Sequence, residues 1–326
     1  MTSPTSHSPL RVPERLIPIP TFLSPEAQAQ LAQGTLSNPP WPEDGDIDGW
    51  RALIAGMNRM GEAGLGMIAQ HVKAHTETIE ANGVRVHVVT PEGVSADDRA
   101  TYLEFHGGAM LWGDGESARL MGMITAAAVR ARVWAVDYRT PPDHCYPAPL
   151  DDCVAAYRAL LETTDPGNII LGGASAGGNF AAATVLRARD EGLPLPAALV
   201  LPTPELDLTE SGDSFATLLG VDTALTSRLM PANRLYAGGA DLADPYLSPL
   251  FGDFTRGFPP TYLQSGTRDL FLSNTVRMHQ LLRRAGIEAE LHVLDACTHV
   301  AFMAGIEAED RLREMRRFVD RHWRRG

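Results

Sequence analysis

The stretch Gly173-Ala174-Ser175-Ala176-Gly177 decides the fold of this chain. A short apolar run comes directly before it and a run of small residues follows, which predicts a strand that turns sharply into a helix at Ser175. So tight a turn needs glycine two positions before and two after the serine, because side chains there would collide with neighbouring backbone. The pattern predicts a nucleophile elbow, in which a strained serine presents its hydroxyl to a substrate. The alternative is a glycine- and alanine-rich helix start in an ordinary α/β domain.

A second glycine motif lies upstream, where a strand-like apolar run leads into His106-Gly107-Gly108-Ala109. Such glycines let backbone N–H groups turn towards the carbonyl oxygen of a bound ester. We expect the amides of Gly107, Gly108 and Ala109, together with that of Ala176, to form an oxyanion hole. For His106 the prediction is a role in organising the loop rather than in moving protons.

A serine nucleophile needs a base, and the base needs an acid that orients it. In this type of fold they follow one another in the order serine, acid, histidine. Asp269 and His299 occur in that order, each just after a short strand-like segment. A helical segment separates the two, so parallel strands would bring both side chains to the sheet edge that Ser175 reaches. Asp295 and Asp207 remain open as alternative acids, because more than one loop can supply this group.

Alternating strand and helix patterns predict an α/β fold with a mostly parallel central sheet flanked by helices. A hairpin turn at Asn82-Gly83 starts the sheet, and helical segments separate the later strands. The predicted strands are residues 78–81, 84–89, 100–105, 132–138, 169–171, 198–201, 261–264 and 290–294. The catalytic α/β domain is expected over residues 76–207 and 255–326.

Two segments that the sheet does not use, residues 1–75 and 208–254, are predicted to form a helical cap. Within the first, residues 25–31 and 47–60 have the apolar spacing of amphipathic helices. Ordinary packing onto the body is the simpler explanation of such a stripe, and lining of a substrate pocket is the functional one. The predicted pocket residues are Trp50, Met57, Met110, Leu111 and Phe302.

Further motifs accompany these residues in a consistent order. They are Gly113-Asp114, Asp137-Tyr138-Arg139, residues 146–152, Gly178-Asn179 and Ser248-Pro249-Leu250. Over roughly residues 75–325 the chain resembles the hormone-sensitive-lipase-like branch of the α/β-hydrolases, which contains many bacterial carboxylesterases. The resemblance implies an α/β-hydrolase fold with a helical cap that shapes the acyl and alcohol pockets. It also implies that Ser175 is the nucleophile, His299 the general base and acid, and Asp269 the group that orients the histidine.

The chain departs from the family pattern in four places, one of which is the stretch Thr140-Pro141-Pro142-Asp143. Ala109 stands where the oxyanion loop usually has a third glycine, and Ala174 stands where aspartate or threonine often precedes the serine. Neither change removes a backbone N–H, and the methyl group of Ala109 is expected to trim the pocket. The pair Cys297-Thr298 before the histidine also differs, and we have no chemical explanation for it.

The site and the resemblance together predict a serine carboxylesterase that hydrolyses short- to medium-chain acyl esters through an acyl-enzyme, without a cofactor. Hydrolysis of lactones, carbamates or formamides on the same triad is the alternative within this class, because the same groups cleave any activated acyl bond. A non-catalytic small-ligand-binding protein on this fold is the alternative from a different class. Retention of Ser175, Asp269 and His299 argues against it.

Composition excludes several other classes of protein. The 326 residues, 44% of them hydrophobic, can bury one large core, and the net charge of −12 argues against nucleic acid and anionic membranes as partners. Residues 1–20 contain five prolines and no long apolar run, which predicts a loose arm rather than a signal peptide. Cys145, Cys153 and Cys297 have no metal-binding spacing and favour a reducing, cytoplasmic location. A homodimer formed through an exposed sheet edge or the cap is a further expectation.

Overall fold

The apolar runs predicted as strands form one eight-stranded sheet in the computed structural model, which describes residues 10–95 and 97–323. In chain order the strands are β1 (Ala74–Ala81), β2 (Val84–Pro91), β3 (Thr101–Phe105), β4 (Arg132–Asp137), β5 (Ile169–Gly172), β6 (Ala198–Pro202), β7 (Thr261–Gly266) and β8 (Ala289–Leu294). Their order across the sheet is β1-β2-β4-β3-β5-β6-β7-β8. β1 begins earlier than predicted, because its first half is polar and is held by pairing with β2 rather than by burial.

A tight hairpin starts the sheet, as predicted. Asn82 and Gly83 both have positive φ, 50° and 82°, which is the conformation that a two-residue hairpin turn requires. β2 runs antiparallel to both of its neighbours, β1 and β4. From β4 onwards every pair of neighbouring strands is parallel, so the carboxyl ends of these strands meet at one edge of the sheet.

Helices flank this sheet in the alternating order that the sequence predicts. They are α1 (Pro25–Ala32), α2 (Ile47–Ala69), α3 (Glu116–Val129), α4 (Ala148–Leu161), α5 (Ala176–Asp190), α6 (Ser214–Thr217), α7 (Met230–Ala237), α8 (Leu272–Arg284) and α9 (Ile306–His322). Among the residues with described structure, none of these helices has both the length and the apolar character needed to span a bilayer.

α2 extends beyond Met60, where its predicted apolar periodicity ends. The extension is rich in glycine, which disfavours helix in isolation. A Cβ on Gly61 would lie 3.7 Å from the Ser117 hydroxyl of α3, an ordinary van der Waals distance, so the two helices are in contact at this position. Packing of α2 on α3 therefore outweighs the weak helix propensity of this segment.

The two faces of the sheet are covered by different helices. Along β5, Leu171 belongs to the same apolar cluster as Phe180 of α5, whereas Ile170 belongs to the cluster that contains Phe318 of α9. This alternation is the period of two that a strand buried on both faces requires. The central strands are therefore held rigidly, and their carboxyl ends provide fixed positions for loops.

The two segments predicted as a cap are the N-terminal segment and the insertion between β6 and β7. In the N-terminal segment, Ala27 and Leu31 of α1 pack against Phe302. In the insertion, Leu208 and Tyr236 belong to the main core beneath the sheet, so this segment is anchored in the body of the protein. The division into a catalytic domain and a cap stays a prediction.

Candidate active site

Ser175 lies at the turn between β5 and α5 with φ of 58°, a left-handed backbone that is strained for any residue except glycine. A Cβ on Gly173 would lie 2.2 Å from the Phe105 carbonyl oxygen, and one on Gly177 would lie 2.0 Å from the same atom. No side chain fits at either position. The two glycines thus let the elbow pass against the end of β3, and Ser175 itself stays half-buried.

His299 and Asp269 lie together at the carboxyl end of the sheet, on the loops that follow β8 and β7. Nδ1 of His299 is 3.2 Å from Oδ1 of Asp269 and 2.6 Å from the Thr203 hydroxyl. The Thr203 hydroxyl donates to Oδ2 of Asp269 at 2.7 Å, so it bridges the two residues. Because the Thr203 hydroxyl gives its single proton to Asp269, its oxygen accepts a hydrogen bond from Nδ1 of His299. Nδ1 therefore carries the imidazole proton, and Nε2 is free to act as a base.

Asp269 is fully buried, and both of its carboxylate oxygens accept hydrogen bonds. The Ser265 hydroxyl donates to its Oδ2 at 2.6 Å, and the Phe271 amide donates to its Oδ1 at 2.9 Å. Burial alone would raise its pKa, but the hydrogen bonds from His299, Ser265 and Thr203 hold the pKa of Asp269 below its ordinary value. The group is therefore an anion at neutral pH, as an orienting acid must be.

The two alternative acids are engaged elsewhere. Asp207 forms an ion pair with Arg277 at 2.7 Å, and Asp295 accepts from the Thr267 hydroxyl at 3.1 Å. Of the three carboxylates considered from the sequence, Asp269 is the one that hydrogen-bonds to the imidazole of His299.

The protonation of His299 is set by opposing influences. Burial lowers its pKa, but the hydrogen bond and charge of Asp269, with the charge of Asp222, raise the pKa of His299 above its ordinary value. The imidazole makes no hydrogen bond to the Ser175 hydroxyl in this structure. Contacts of this kind are often long in a free enzyme and tighten when substrate binds.

The predicted oxyanion loop passes directly beside the elbow. A Cβ on Gly107 would lie 3.0 Å from the Ala174 carbonyl oxygen and 3.7 Å from the Cβ of Ser175. On Gly108, whose φ is 126°, a Cβ would lie 1.9 Å from the Trp112 carbonyl oxygen. Glycine is therefore required at Gly108, whereas a side chain at Gly107 would be tightly packed, and the loop runs along the serine.

The amides expected to form the oxyanion hole are those of Gly107, Gly108, Ala109 and Ala176. None of the four donates a hydrogen bond to an acceptor in the described part of the chain. Ala176 is the first residue of α5, where an amide has no partner within the helix. Free amides beside a nucleophile are the groups that stabilise an oxyanion.

His106 is packed as a structural residue of this loop. Its ring stacks on Tyr138 with 3.8 Å between the ring centroids, and the Tyr138 hydroxyl donates to the His106 carbonyl oxygen at 2.7 Å. Its Nδ1 lies 3.0 Å from the Gly107 carbonyl oxygen. Burial lowers the pKa of His106, which keeps the ring neutral. This placement fits the predicted role as an organiser of the loop.

A mostly apolar cavity of about 190 Å³ lies beside His299. One wall is formed by residues 36–41 and by Leu53 and Met57 of α2, and another by residues 224–229. Ala109 and Trp112 of the oxyanion loop complete it. The cavity thus joins His299 to the predicted oxyanion loop and to both segments predicted as a cap.

The residues 35–41, which we call the N-terminal strap, are tied to the loop of residues 222–229, which we call the pocket loop. The Leu36 amide donates to the Thr223 carbonyl oxygen at 2.7 Å, and the Asn38 side chain donates to that of Ala224 at 2.8 Å. The strap and the pocket loop therefore form one continuous wall over the cavity.

Of the predicted pocket residues, Met57 lies on the cavity wall. Trp50 does not, because it is buried behind Trp41, with 5.8 Å between the ring centroids. Trp41 and Trp112 provide the aromatic surface of the cavity instead, with ring centroids 6.3 Å apart. The prediction for Trp50 is corrected accordingly.

Three further pocket predictions are corrected. Met110 and Leu111 are fully buried, and Met110 packs in the main core with Phe105 rather than facing the cavity. The loop backbone at Ala109 and Met110 is left-handed, with φ of 51° and 65°, and the Met110 side chain enters the core, whereas Trp112 of the same loop lines the cavity. Phe302 lies in a different cluster, packed against α1.

Sequence reasoning missed three contributors to this site. Thr203, Asp222 and Trp41 are isolated residues in irregular segments, where no periodic pattern marks them. Thr203 has φ of 44° just after β6, and its position at the carboxyl end of a parallel strand is the signal that would have found it.

Comparison with known proteins supports these observations. A family model described as alpha/beta hydrolase fold matches residues 102–303. An acetyl-hydrolase of Streptomyces hygroscopicus is 38% identical over 58% of this chain, and the chain spans 64% of that protein. An esterase of Acinetobacter venetianus is 32% identical over 65% of this chain and 71% of its own length.

Solved structures agree over a larger share of the chain. The crystal structure of an esterase E25 has a TM-score of 0.89 and 33% identity, covering 97% of this chain and 99% of the other. An esterase from the bacterial hormone-sensitive lipase family has a TM-score of 0.76 and 34% identity, covering 81% of this chain and 90% of the other. These matches confirm the predicted fold and the predicted resemblance. The chain belongs to the α/β-hydrolase fold family and, within it, to the bacterial hormone-sensitive lipase family.

Proposed function

We propose that the protein is a serine carboxylesterase that hydrolyses short- to medium-chain acyl esters through an acyl-enzyme. The observation that carries the proposal is the hydrogen-bonded group of His299, Asp269 and Thr203, which lies with the Ser175 elbow and the oxyanion loop at one edge of the sheet. The relatives, which are named as esterases, acetyl-hydrolases and carboxylesterases, support ester hydrolysis.

In the proposed mechanism, Ser175 Oγ attacks the ester carbonyl carbon while His299 Nε2 accepts the hydroxyl proton. The carbonyl oxygen becomes an oxyanion that accepts hydrogen bonds from the amides of Gly107, Gly108 and Ala176, each worth about 3 kcal/mol of barrier. Collapse of this intermediate expels the alcohol, which takes the proton from His299. Water then attacks the acyl-enzyme with the same base, and the free acid leaves.

The volume and the apolar walls of the cavity limit the size of the acyl group that it can hold. Its volume of about 190 Å³ and its apolar walls fit a short or medium chain and leave little room for a long one. Trp41 closes it on the side of the N-terminal strap, where its indole N–H donates to the Arg228 carbonyl oxygen at 3.1 Å. We propose that the acyl chain lies in this cavity and the alcohol group faces the opening.

Three wider predictions are kept as proposals. We propose that residues 1–75 and 208–254 act as a cap over residues 76–207 and 255–326, because both cap segments contribute walls to the cavity. The cytoplasmic location rests on Cys145, Cys153 and Cys297, all free thiols. The third proposal is a homodimer formed through an exposed sheet edge or the cap, and light scattering of the purified protein tests it.

The experiment is hydrolysis of p-nitrophenyl esters from acetate to palmitate, with the Ser175→Ala variant as the control. We expect turnover that peaks at short to medium chains and falls by about 10⁶ in the variant. Activity confined to long chains would make the protein a lipase. If no ester is hydrolysed, lactones, carbamates and formamides are assayed next, and inactivity on these as well would favour a binding protein.

A further inference from the structure

Asp222 of the pocket loop has a buried carboxylate, 1% exposed, that neither the motifs nor the proposed mechanism uses. It accepts hydrogen bonds from four backbone amides. Oδ1 accepts from the amides of Ala224 at 2.9 Å and Leu225 at 3.2 Å. Oδ2 accepts from the amides of Leu270 at 2.8 Å and His299 at 3.2 Å, and the His299 amide also lies 3.4 Å from Oδ1.

These four amides belong to three separate segments of the site. Ala224 and Leu225 form part of the cavity wall, Leu270 follows the acid Asp269, and His299 is the base itself. We propose that Asp222 is a positioning residue that holds the acid loop, the base loop and the acyl-pocket wall in register, so that binding of the acyl group is coupled to the geometry of the catalytic pair. This inference rests on the proposed esterase function.

The charge of Asp222 has a second consequence. His299 becomes an imidazolium in the transition state, and a neighbouring anion stabilises that form. Carboxyl groups lie near the ring on three segments. Asp269 acts by direct contact and Asp222 by charge, whereas burial raises the pKa of Glu205 to about 8, so it carries no charge at neutral pH. The other neighbours of the His299 ring, the Thr203 hydroxyl and the Phe271 ring, carry no charge.

The pattern of acceptors explains why asparagine cannot replace Asp222. Each carboxylate oxygen already accepts at least two N–H groups, with the His299 amide shared between them, so an amide nitrogen at either position would face at least two donors. Asp222→Asn therefore loses one pair of contacts and the negative charge at nearly constant volume. Either the pocket wall or the two catalytic loops then lose their link to this residue.

The test compares wild type with Asp222→Asn, and uses Asp241→Asn as a matched control. Asp241 accepts the amide two residues later at 3.0 Å, as Asp222 does, but in an exposed turn outside the site. The rate per active site is measured with p-nitrophenyl acetate and butyrate, after titration of reactive serine with a fluorophosphonate. The pH dependence of kcat/KM is recorded for all three proteins.

We expect kcat per titrated site to fall by about 10²-fold in Asp222→Asn, the size of effect that a misplacement of about 1 Å produces. We also expect the acid limb of kcat/KM to move to lower pH, because the imidazolium loses a neighbouring anion. A residue with only a structural role would lower the number of active sites and leave both quantities unchanged. Wild-type kcat per site with an unmoved acid limb would overturn the inference.

If Asp222→Asn does not fold, Asp222→Ser is assayed in the same way, because serine keeps one acceptor oxygen in a smaller side chain. A wild-type rate per site and an unmoved acid limb in that variant would equally overturn the inference. Failure of the proposed function is distinguishable, since then the wild-type protein itself would hydrolyse neither ester.

Discussion

The Thr203 hydroxyl lies 2.6 Å from Nδ1 of His299, closer than the 3.2 Å that separates this nitrogen from Oδ1 of Asp269. The same hydroxyl donates to Oδ2 of Asp269. The Thr203 hydroxyl thus lies between Asp269 and His299. Both Thr203 and Asp269 accept from Nδ1 and so keep the imidazole proton on this nitrogen.

Thr203→Val removes this bridge while keeping the shape of the side chain. We expect kcat to fall by about fivefold to tenfold, the value of one hydrogen bond of about 1 kcal/mol, with little change in KM. Thr203→Ser keeps the hydroxyl and serves as the control, measured with p-nitrophenyl butyrate. Equal rates for the valine and serine variants would contradict the bridging role.

Asp269→Asn tests the choice of acid. Asparagine can accept from Thr203 but cannot stabilise the imidazolium by charge, so we expect kcat to fall by about 10⁴-fold, as in other serine triads. Asp295→Asn is the control, because Asp295 contacts Thr267 and lies outside the hydrogen bonds of His299. A larger loss in the Asp295 variant than in the Asp269 variant would reverse the assignment.

Ala109→Gly tests the departure of the oxyanion loop from the family pattern. Ala109 has φ of 51° and lines the cavity, so glycine relieves about 1 kcal/mol of backbone strain and removes a methyl group from the pocket. We expect a higher free energy of unfolding in urea and a kcat/KM ratio of hexanoate to acetate that rises several-fold.

Ala224→Gly is the matched control for this change. It removes a methyl group from the same cavity at a position without positive φ, so we expect a loss of stability of about 0.5–1 kcal/mol there. If Ala109→Gly lost as much stability as Ala224→Gly, the strain at Ala109 would be refuted.

The buried carboxyl group of Glu205 is expected to make the free energy of unfolding depend on pH. Its carboxyl group is fully buried behind the elbow, with its amide donating to the Ser175 carbonyl oxygen at 3.1 Å, and neither carboxyl oxygen has a hydrogen-bond partner. Burial, together with the charge of Glu210, raises the pKa of Glu205 from 4.5 to about 8. Between these two values the folded protein holds a proton that the unfolded chain has lost.

The free energy of unfolding therefore falls as the pH rises through this window. Glu205→Gln removes the titration, so we expect the variant to gain stability over wild type between pH 5 and pH 8.5, by on the order of a few kcal/mol. Urea unfolding at several pH values measures this difference. The exposed Glu77→Gln variant is the control, and a Glu205→Gln curve that ran parallel to wild type would refute the shift.

The residues of the candidate site stand out in the sequence because the chemistry proposed for them requires fixed local patterns. The turn at Ser175 needs glycines at fixed positions, and the order of Asp269 and His299 along the chain follows the strands that carry them. The strand segments also followed from apolar runs, whereas their order across the sheet, with β4 between β2 and β3, was not predicted and is set by tertiary packing.

The pocket was harder to predict, for a physical reason. The N-terminal strap has no periodic pattern, and its position depends on hydrogen bonds to the pocket loop far along the chain, such as that from Asn38 to Ala224. Met110 and Phe302 were predicted to line the pocket, but Met110 packs in the main core and Phe302 against α1, because the local backbone decides which way a side chain points.

Mass-spectrometric mapping of the protein after reaction with a fluorophosphonate tests the central claim most directly. The account predicts one phosphonyl adduct per chain on Ser175, absent in Ser175→Ala and formed far more slowly in His299→Ala. A protein that hydrolyses esters while Ser175 stays unmodified, or that carries the adduct on another residue, would contradict it.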